Sequence, residues 1–387
     1  MKRIILDGMA IRPGSRGVAR VLKQVLPLLA HRTDGIEYVI VTSDEGRAAL
    51  PCSLDTVRVP FMPMSAWEQI GLPEQARRLG ATAVYCHAEC GPMWGPPVVI
   101  HVPEDPYVRW AFSPPDTRRE HLRRAYQRST IRRSILRAPI VITSSEAVAT
   151  QLAHRFGDAL PRTEVVPLGV DASIFYPDGA VRREDVVFHL GSEARDQSML
   201  VLQAYARALE LGADLPDLAL GGNLGSFAEP IREEARRLKL DGRVHLLGRI
   251  SDEDLRDYYA NSALCVQPAI YEGFGLQPLE ALACGAALVV SSEPAVEEVV
   301  QDAAAVVHRS TADAIATEMA ALWSDKALRA RLRHAGPIRA SHYSWEATAD
   351  RLHALLQDCT GPIGRRKQGR SSESHGRSAP HLTFPRT

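Results

Sequence analysis

A chain of 387 residues, 45% hydrophobic and 24% charged, has ordinary globular composition and is long enough for two domains with sizeable cores. Its 46 basic and 46 acidic side chains cancel, which excludes a whole-chain attraction to nucleic acid or to an anionic membrane and leaves only local basic footprints. Six cysteines, at Cys52, Cys86, Cys90, Cys265, Cys284 and Cys359, are scattered through a chain far too large to need stapling, which fits a reducing cytoplasm better than secretion.

The opening MKRIILDGMA carries an apolar run, Ile4 to Leu6, that Asp7 halts at once. That run is too short for a signal-peptide core, and no stretch approaches the roughly 18 apolar residues of a membrane span. A soluble cytoplasmic protein is expected. Short apolar runs at 3–6, 38–43, 97–102 and 138–145 alternate with helical patterns such as Val18 to Leu29, which argues for helices layered on a parallel sheet. Thr143 and Glu146 have capping-box spacing and predict a helix through Leu152. Residues 171–185, DASIFYPDGAVRRED, have proline, glycine and charge without apolar period, so a boundary is expected after a first domain at 1–175.

A second series follows. Strands at 186–191, 218–222, 244–248 and 263–268 alternate with helices at 198–211, 228–239 and one capped by Ser251, predicting a Rossmann-like domain at 186–340. Two such domains facing one another enclose a cleft where the carboxyl ends of both sheets meet. SWEATADRLHALLQ, 344–357, reads as a helix with Ser344 as N-cap. The last stretch, 360–387, is basic and offers little to bury; disorder is expected there, as a solubilising tail or as a contact for phosphates or acidic lipid.

The segment YEGFGLQPLEALACG, 271–285, follows a strand and opens a helix predicted over 277–284. That places Pro278 where its missing N–H costs least and Glu280 in the first turn. Gly273 and Gly275 allow the backbone to bend and a ligand to approach. Leading amides and the positive helix end at a sheet's carboxyl edge suit a phosphate or diphosphate. Glu272 and Glu280 can then bracket the anion, each accepting from neutral hydroxyls, in the order ribose, diphosphate, hexose. Taken singly, Glu280 could equally be a first-turn acid favoured by the dipole and Glu272 a solvated loop acid.

In this segment the chain resembles retaining glycosyltransferases of family 4, of GT-B fold, through its two-glutamate signature from Glu272-Gly273-Phe274-Gly275-Leu276 to Glu280. Further similarity runs through DGMAIRPGSRGVARVLKQVLPLLA (7–30), HVPEDPY (101–107), SSEAVATQL (144–152), VVPLGVDASIF (165–175), HLGSEARDQ (189–197) and LLGRISDEDL (246–255) to the final YSWEATADRL. The early region is similar to mannosyltransferase-like members that build surface polysaccharides, with natural-product glycosylation also open. The resemblance implies that Glu280 binds the nucleotide ribose, while Glu272 and the amides of Gly273, Phe274, Gly275 and Leu276 hold the donor sugar and its phosphates. It implies Arg195 facing the diphosphate, His101 across the cleft by the sugar, Gly17 permitting close approach, and Gly248, Arg249 and Ile250 lining the base. It further implies hexosyl transfer from a nucleoside-diphosphate sugar to a glycan, lipid-linked saccharide or natural product, with no metal or other cofactor and no protein nucleophile, and a last helix that returns to the first domain.

Two departures stand out. Where the family has arginine followed shortly by lysine, this chain has Arg195-Asp196-Gln197, which leaves Arg16 or Arg249 as substitute cations and a catalytically weakened nucleotide-sugar-binding partner subunit as the alternative function. Val102 follows His101 where aspartate is usual, and a lone histidine after an apolar strand also serves structural roles. YCHAECG (85–91) lacks a second ligand pair, so a reduced cysteine pair is expected rather than zinc. The arginines of 118–137 fall around several sides of a helix, predicting a solvated helix, with a phosphorylated or lipid-linked acceptor at a membrane surface as the sharper alternative. A dinucleotide oxidoreductase is disfavoured because no strand leads into a glycine-x-glycine-x-x-glycine turn.

Overall fold

The computed structural model describes residues 2–360 apart from 13–16, 33, 52–53, 55, 61, 113–114, 116 and 178–183. Arg16, Cys52 and the tail beyond Thr360 therefore lie outside the described residues. Seven strands form the first sheet: β1 (Lys2–Asp7), β2 (Ile36–Thr42), β3 (Thr56–Arg58), β4 (Ala83–Cys86), β5 (Val98–Val102), β6 (Val141–Thr143) and β7 (Thr163–Val165). Their order is β3-β2-β1-β4-β5-β6-β7, parallel throughout. A second parallel sheet has β8 (Val186–Leu190), β9 (Asp217–Gly221), β10 (Val244–Gly248), β11 (Leu264–Gln267), β12 (Leu288–Ser291) and β13 (Ala305–Val307), ordered β10-β9-β8-β11-β12-β13.

Parallel pairing needs crossover helices, and these cover both faces of each sheet, so strand residues are apolar without alternation. All five residues of β5 and all four of β4 are buried. Strand order reverses between β1 and β4 in one sheet and between β8 and β11 in the other, and the loops leaving those strands at their carboxyl ends are where ligands lodge in such folds. The helix Val18–Ala30 follows β1, the loop 191–197 follows β8, and the loop 268–275 follows β11. All three open on the space between the sheets.

The helix Trp345–Thr360 packs on Val18–Ala30 of the first sheet's layer. Its stripe of Trp345, Ala349, Leu352, Leu355 and Leu356 is buried, the Thr348 hydroxyl donates to the Pro167 carbonyl at 2.8 Å, and His353 Nδ1 lies 2.7 Å from the Tyr38 hydroxyl. Ser344 caps it, accepting from Ala347 N–H at 3.1 Å. Among the described residues no helix is long and apolar enough to cross a membrane.

Local details differ from the sequence reading. Ser145, not Thr143, caps the helix Glu146–Phe156, accepting from Val148 N–H at 3.3 Å, while the Thr143 hydroxyl donates to the Ser145 carbonyl at 3.1 Å. The helix Arg118–Arg137 buries Thr130, Ile131, Ser134 and Ile135 and keeps Arg118, Arg119, Arg123, Arg128, Arg132, Arg133 and Arg137 exposed, so its basic character is gathered on the solvent side.

Candidate active site

The helix that opens the 271–285 segment runs Leu276–Ala283, one residue earlier than the spacing suggested, because Gly275 takes a left-handed φ of 96° and becomes its N-cap. Glu280 therefore stands in the second turn rather than the first. Its side chain is buried, and what meets it is Arg20 of the opposite domain, which also pairs with Asp252. Burial works against the Arg20 charge, but Glu280 and Asp252 outweigh it and hold its pKa above the ordinary value. In the sequence Arg20 lies three residues after Gly17 within the stretch 7–30, with nothing to name a partner 260 residues away.

Gly273 lines the cavity and has a second task at the domain interface. A Cβ at this position would lie 1.9 Å from the Pro103 carbonyl oxygen of the first domain, so the missing side chain is what lets the two domains touch. Ser145 donates its hydroxyl to the Gly273 carbonyl at 2.7 Å. Nearby, Tyr271 accepts from Asp105 N–H at 2.7 Å, and the Glu298 carboxylate accepts from the leading amides of helix Glu146–Phe156, Glu146 at 2.9 Å and Ala147 at 2.6 Å. These bonds stitch the carboxyl edges of the two sheets together around a cavity of about 350 Å³.

The cavity wall brings together Gly17, Arg195, Glu272, Gly273, Phe274, Gly275, Leu276 and Glu280 of the predicted set. Gly17 caps helix Val18–Ala30 with φ of 61°. Arg195 donates to Glu104 of the first domain at 2.8 Å and pairs with Glu193 at 3.0 Å. Burial opposes its charge, and Glu272, Glu104 and Glu193 together push its pKa up regardless. Enclosure raises the Glu272 carboxyl to about 8; Arg195 resists this, and the neighbouring charges of Glu104, Asp196 and Glu293 add to it. The wall is thus a cation ringed by acids, one of them poised to be neutral near pH 7. That pattern of mutually perturbed groups in a cleft marks functional sites.

Asp196 also lines the cavity, and it has a structural task in the loop before helix Ser198–Glu210. Its carboxylate is consumed by the amides of Ser192 at 2.6 Å and Glu193 at 2.8 Å, folding the loop that presents Arg195. Gly248, Arg249 and Ile250 are at the carboxyl end of edge strand β10, outside the cavity lining, where the Gly248 carbonyl accepts from Gly222 N–H at 2.8 Å. His101 is also absent from the wall. It is fully buried in β5, with Nδ1 2.9 Å from the Tyr85 hydroxyl and Nε2 2.9 Å from Ser144 Oγ. The histidine that reaches the cavity is His87, from the end of β4, whose ring lies 4.1 Å from that of His101. Sequence reasoning had met His87 only as a residue between two cysteines. Those thiols are buried: Cys86 in β4, and Cys90 with Sγ 3.2 Å from Thr130 Oγ1, both held protonated by desolvation.

Known proteins share both halves of this arrangement. A model described as Glycosyltransferase Family 4 matches residues 15–174, and one described as Glycosyl transferases group 1 matches 197–339. The chain is 27% identical to a D-inositol 3-phosphate glycosyltransferase of Nocardiopsis dassonvillei over 250 residues, 59% of this chain and 58% of the relative. It is 34% identical to the O-antigen chain mannosyltransferase B of Escherichia coli over 155 residues, 40% of each. The chain thus spans about half the length of the curated relatives it matches. Among solved structures, sucrose-phosphate synthase from Thermosynechococcus elongatus superposes with a TM-score of 0.70 at 18% identity, covering 92% of this chain and 99% of that one. Anabaena HepE in complex with UDP-glucose gives 0.71 at 16%, covering 92% and 100%. At those identities the likeness is one of fold. With a family model on each domain and the GT-B arrangement in common, the chain belongs to the group 1 and family 4 glycosyltransferases.

Proposed function

We propose that this protein is a retaining glycosyltransferase that moves a hexose from a nucleoside-diphosphate sugar to a hydroxyl acceptor, a glycan, lipid-linked saccharide or natural product. The observation that carries this reading is the single cavity in which the N-terminal turn of helix Leu276–Ala283, the Arg195 guanidinium and the two acids Glu272 and Glu280 converge. Relatives named for transfer to inositol phosphate and for mannosyl transfer, and a neighbour holding UDP-glucose, support the same class.

Breaking the sugar–phosphate bond develops positive charge at the anomeric carbon and negative charge on the departing diphosphate. The leading amides of the helix and Arg195 stabilise that departure without reorganising, so the step has no need of a metal. Glu280 binds the ribose; a carboxylate accepts from several donors, so the ribose hydroxyls share it with Arg20. Glu272 accepts from the hexose hydroxyls. The leaving phosphate takes the acceptor's proton on the face it vacates, which retains configuration and needs no protein nucleophile. Closure of the two domains, held by Glu298, Ser145 and Tyr271, keeps water from the donor.

A cytoplasmic protein resting against the inner membrane face through the exposed arginines of Arg118–Arg137 fits this reading, since Leu122 projects among them with 73% of its surface exposed. The test of the activity is release of nucleoside diphosphate from UDP-, GDP- and ADP-hexoses by purified protein supplied with a panel of hydroxyl acceptors. We expect turnover with at least one donor and its loss in Glu272→Ala. Tight donor binding without turnover in the native protein would instead favour a partner subunit.

A further inference from the structure

We infer that His87 is a substrate-binding residue whose Nε2 holds a hydroxyl of the bound hexose, and that Tyr85, His101 and Ser144 position it through a buried hydrogen-bond chain. The inference rests on the nucleotide-sugar reading above and adds to it a residue outside the two-glutamate segment.

His87 is only 3% exposed, yet it lines the cavity that also holds Arg195 and Glu272. Its Nδ1 lies 3.4 Å from the Tyr85 hydroxyl, and its Nε2 has no hydrogen-bond partner among the described residues. An unpaired buried nitrogen forfeits its hydration without return, so native proteins rarely keep one unless a ligand completes it. His87 lines a cavity with room for a sugar, and Nε2 is the ring nitrogen that the protein leaves unpartnered there. A hexose offers hydroxyls that both donate and accept, which matches what a neutral imidazole can use.

What stands behind His87 explains how it serves either role. From the cavity inward the chain of contacts runs His87 Nδ1, Tyr85 hydroxyl, His101 Nδ1, then His101 Nε2 to Ser144 Oγ, the last two links each 2.9 Å. Ser144 itself returns to the cavity wall, so both ends of the chain face the same space. With both imidazoles neutral and the Tyr85 O–H donating within the chain, two arrangements satisfy every link. In one, Ser144 donates to His101, His101 to Tyr85 and Tyr85 to His87, leaving Nε2–H to donate into the cavity. In the other every bond is reversed, and Nε2 accepts. The hydroxyl presented selects the direction. Burial supplies the required neutrality: it lowers the His87 pKa to about 3 and that of His101 well below the ordinary value, the neighbouring His87 adding to the latter effect. His101, at the position the family resemblance singled out, therefore acts through His87 rather than in its place.

The test uses the full chain and two probe sets, nucleoside diphosphates (UDP, GDP, ADP) and the corresponding nucleotide-hexoses, with binding measured by calorimetry. Loss of one neutral hydrogen bond weakens hexose-nucleotide binding in His87→Ala by about tenfold, with nucleoside-diphosphate affinity unchanged. His87→Gln, which keeps one donor and one acceptor, recovers part of the loss. Tyr85→Phe, which cuts the chain without lining the cavity, shows a smaller loss in the same direction, and the change in hexose affinity between pH 6 and 8, where Glu272 titrates, is the same in His87→Ala as in the native protein. Equal weakening toward both probe sets, or native hexose affinity in His87→Ala, would overturn the assignment. If the native protein bound no nucleoside diphosphate at all, the nucleotide-sugar reading would fail first and this one with it.

Discussion

Replacing Gly273 by alanine separates closing the cleft from building it. The new methyl carbon would sit 1.9 Å from the Pro103 carbonyl oxygen, and real contacts of this kind are not found under 3.0 Å, so the facing backbone has to retreat by about 1.1 Å. Within its own domain the substitution is tolerated, because Gly273 lies outside the left-handed region that strains a side chain. Displacement of about an ångström between groups that act on one substrate can cost about 100-fold in turnover. Gly273→Ala is therefore expected to lose about that factor in kcat for donor turnover, while its thermal midpoint and its affinity for free nucleoside diphosphate stay close to native. Hydrogen exchange supplies a readout independent of activity: the Ala147 amide, bonded to Glu298 across the interface at 2.6 Å, should lose protection. Gly275→Ala is the contrast, since its φ of 96° makes any side chain costly by about 1 kcal/mol and should lower stability. Native kcat in Gly273→Ala, or a stability loss matching that of Gly275→Ala, would refute the reasoning.

Other expectations follow from single contacts. Because the folded Glu272 carboxyl is raised to about 8 from an ordinary 4.5, the folded state binds the extra proton, and its cost to stability grows as pH rises between those values. Glu272→Gln should melt with the native protein at pH 4.5 and above it at pH 8; equal melting at both would remove the raised Glu272 carboxyl from the account. Arg20→Ala takes away a cation that meets the buried Glu280 and should cost about 3 kcal/mol in denaturant unfolding, an unchanged midpoint being the contrary result. Glu298→Ala leaves the Ser145 cap in place but removes the interdomain acceptor of the first two amides of helix Glu146–Phe156, and should cost about 1 kcal/mol, with faster exchange confined at first to Glu146 and Ala147. Exchange spread evenly through both domains would argue against an interdomain acceptor.

Much of the architecture was legible in the sequence because parallel strands covered on both faces must be apolar throughout. Runs such as PVVIHV and LALGG announced strands, and the helical patterns between them announced crossovers. Strand β4 escaped because Ala83–Cys86 is short and runs into the cysteines and histidine that drew attention elsewhere, and β3 and β7 are three-residue edge strands, TVR and TEV, with little apolar signal. The 271–285 segment was legible because its glycines, proline and acids act within a few residues of one another. What the sequence withheld is long-range. Arg20 meets Glu280 across 260 residues, Glu298 accepts from a helix amide 152 residues away, and a side chain at Gly273 would collide with Pro103 in the other domain. His101 and His87 are 14 positions apart in the chain, and only the pairing of β4 with β5 decides which of the two reaches the cavity.

Thermal unfolding of the native chain against a panel of UDP-, GDP- and ADP-hexoses tests the central claim most directly, that one interdomain cavity holds a nucleoside diphosphate and the sugar it carries. A ligand present at 100 times its dissociation constant stabilises by about 2.7 kcal/mol, a shift of a few degrees for domains of this size. The account predicts that shift for at least one donor and its reduction in Arg195→Ala and Glu272→Ala. An unmoved midpoint with every donor at saturating concentration would contradict it.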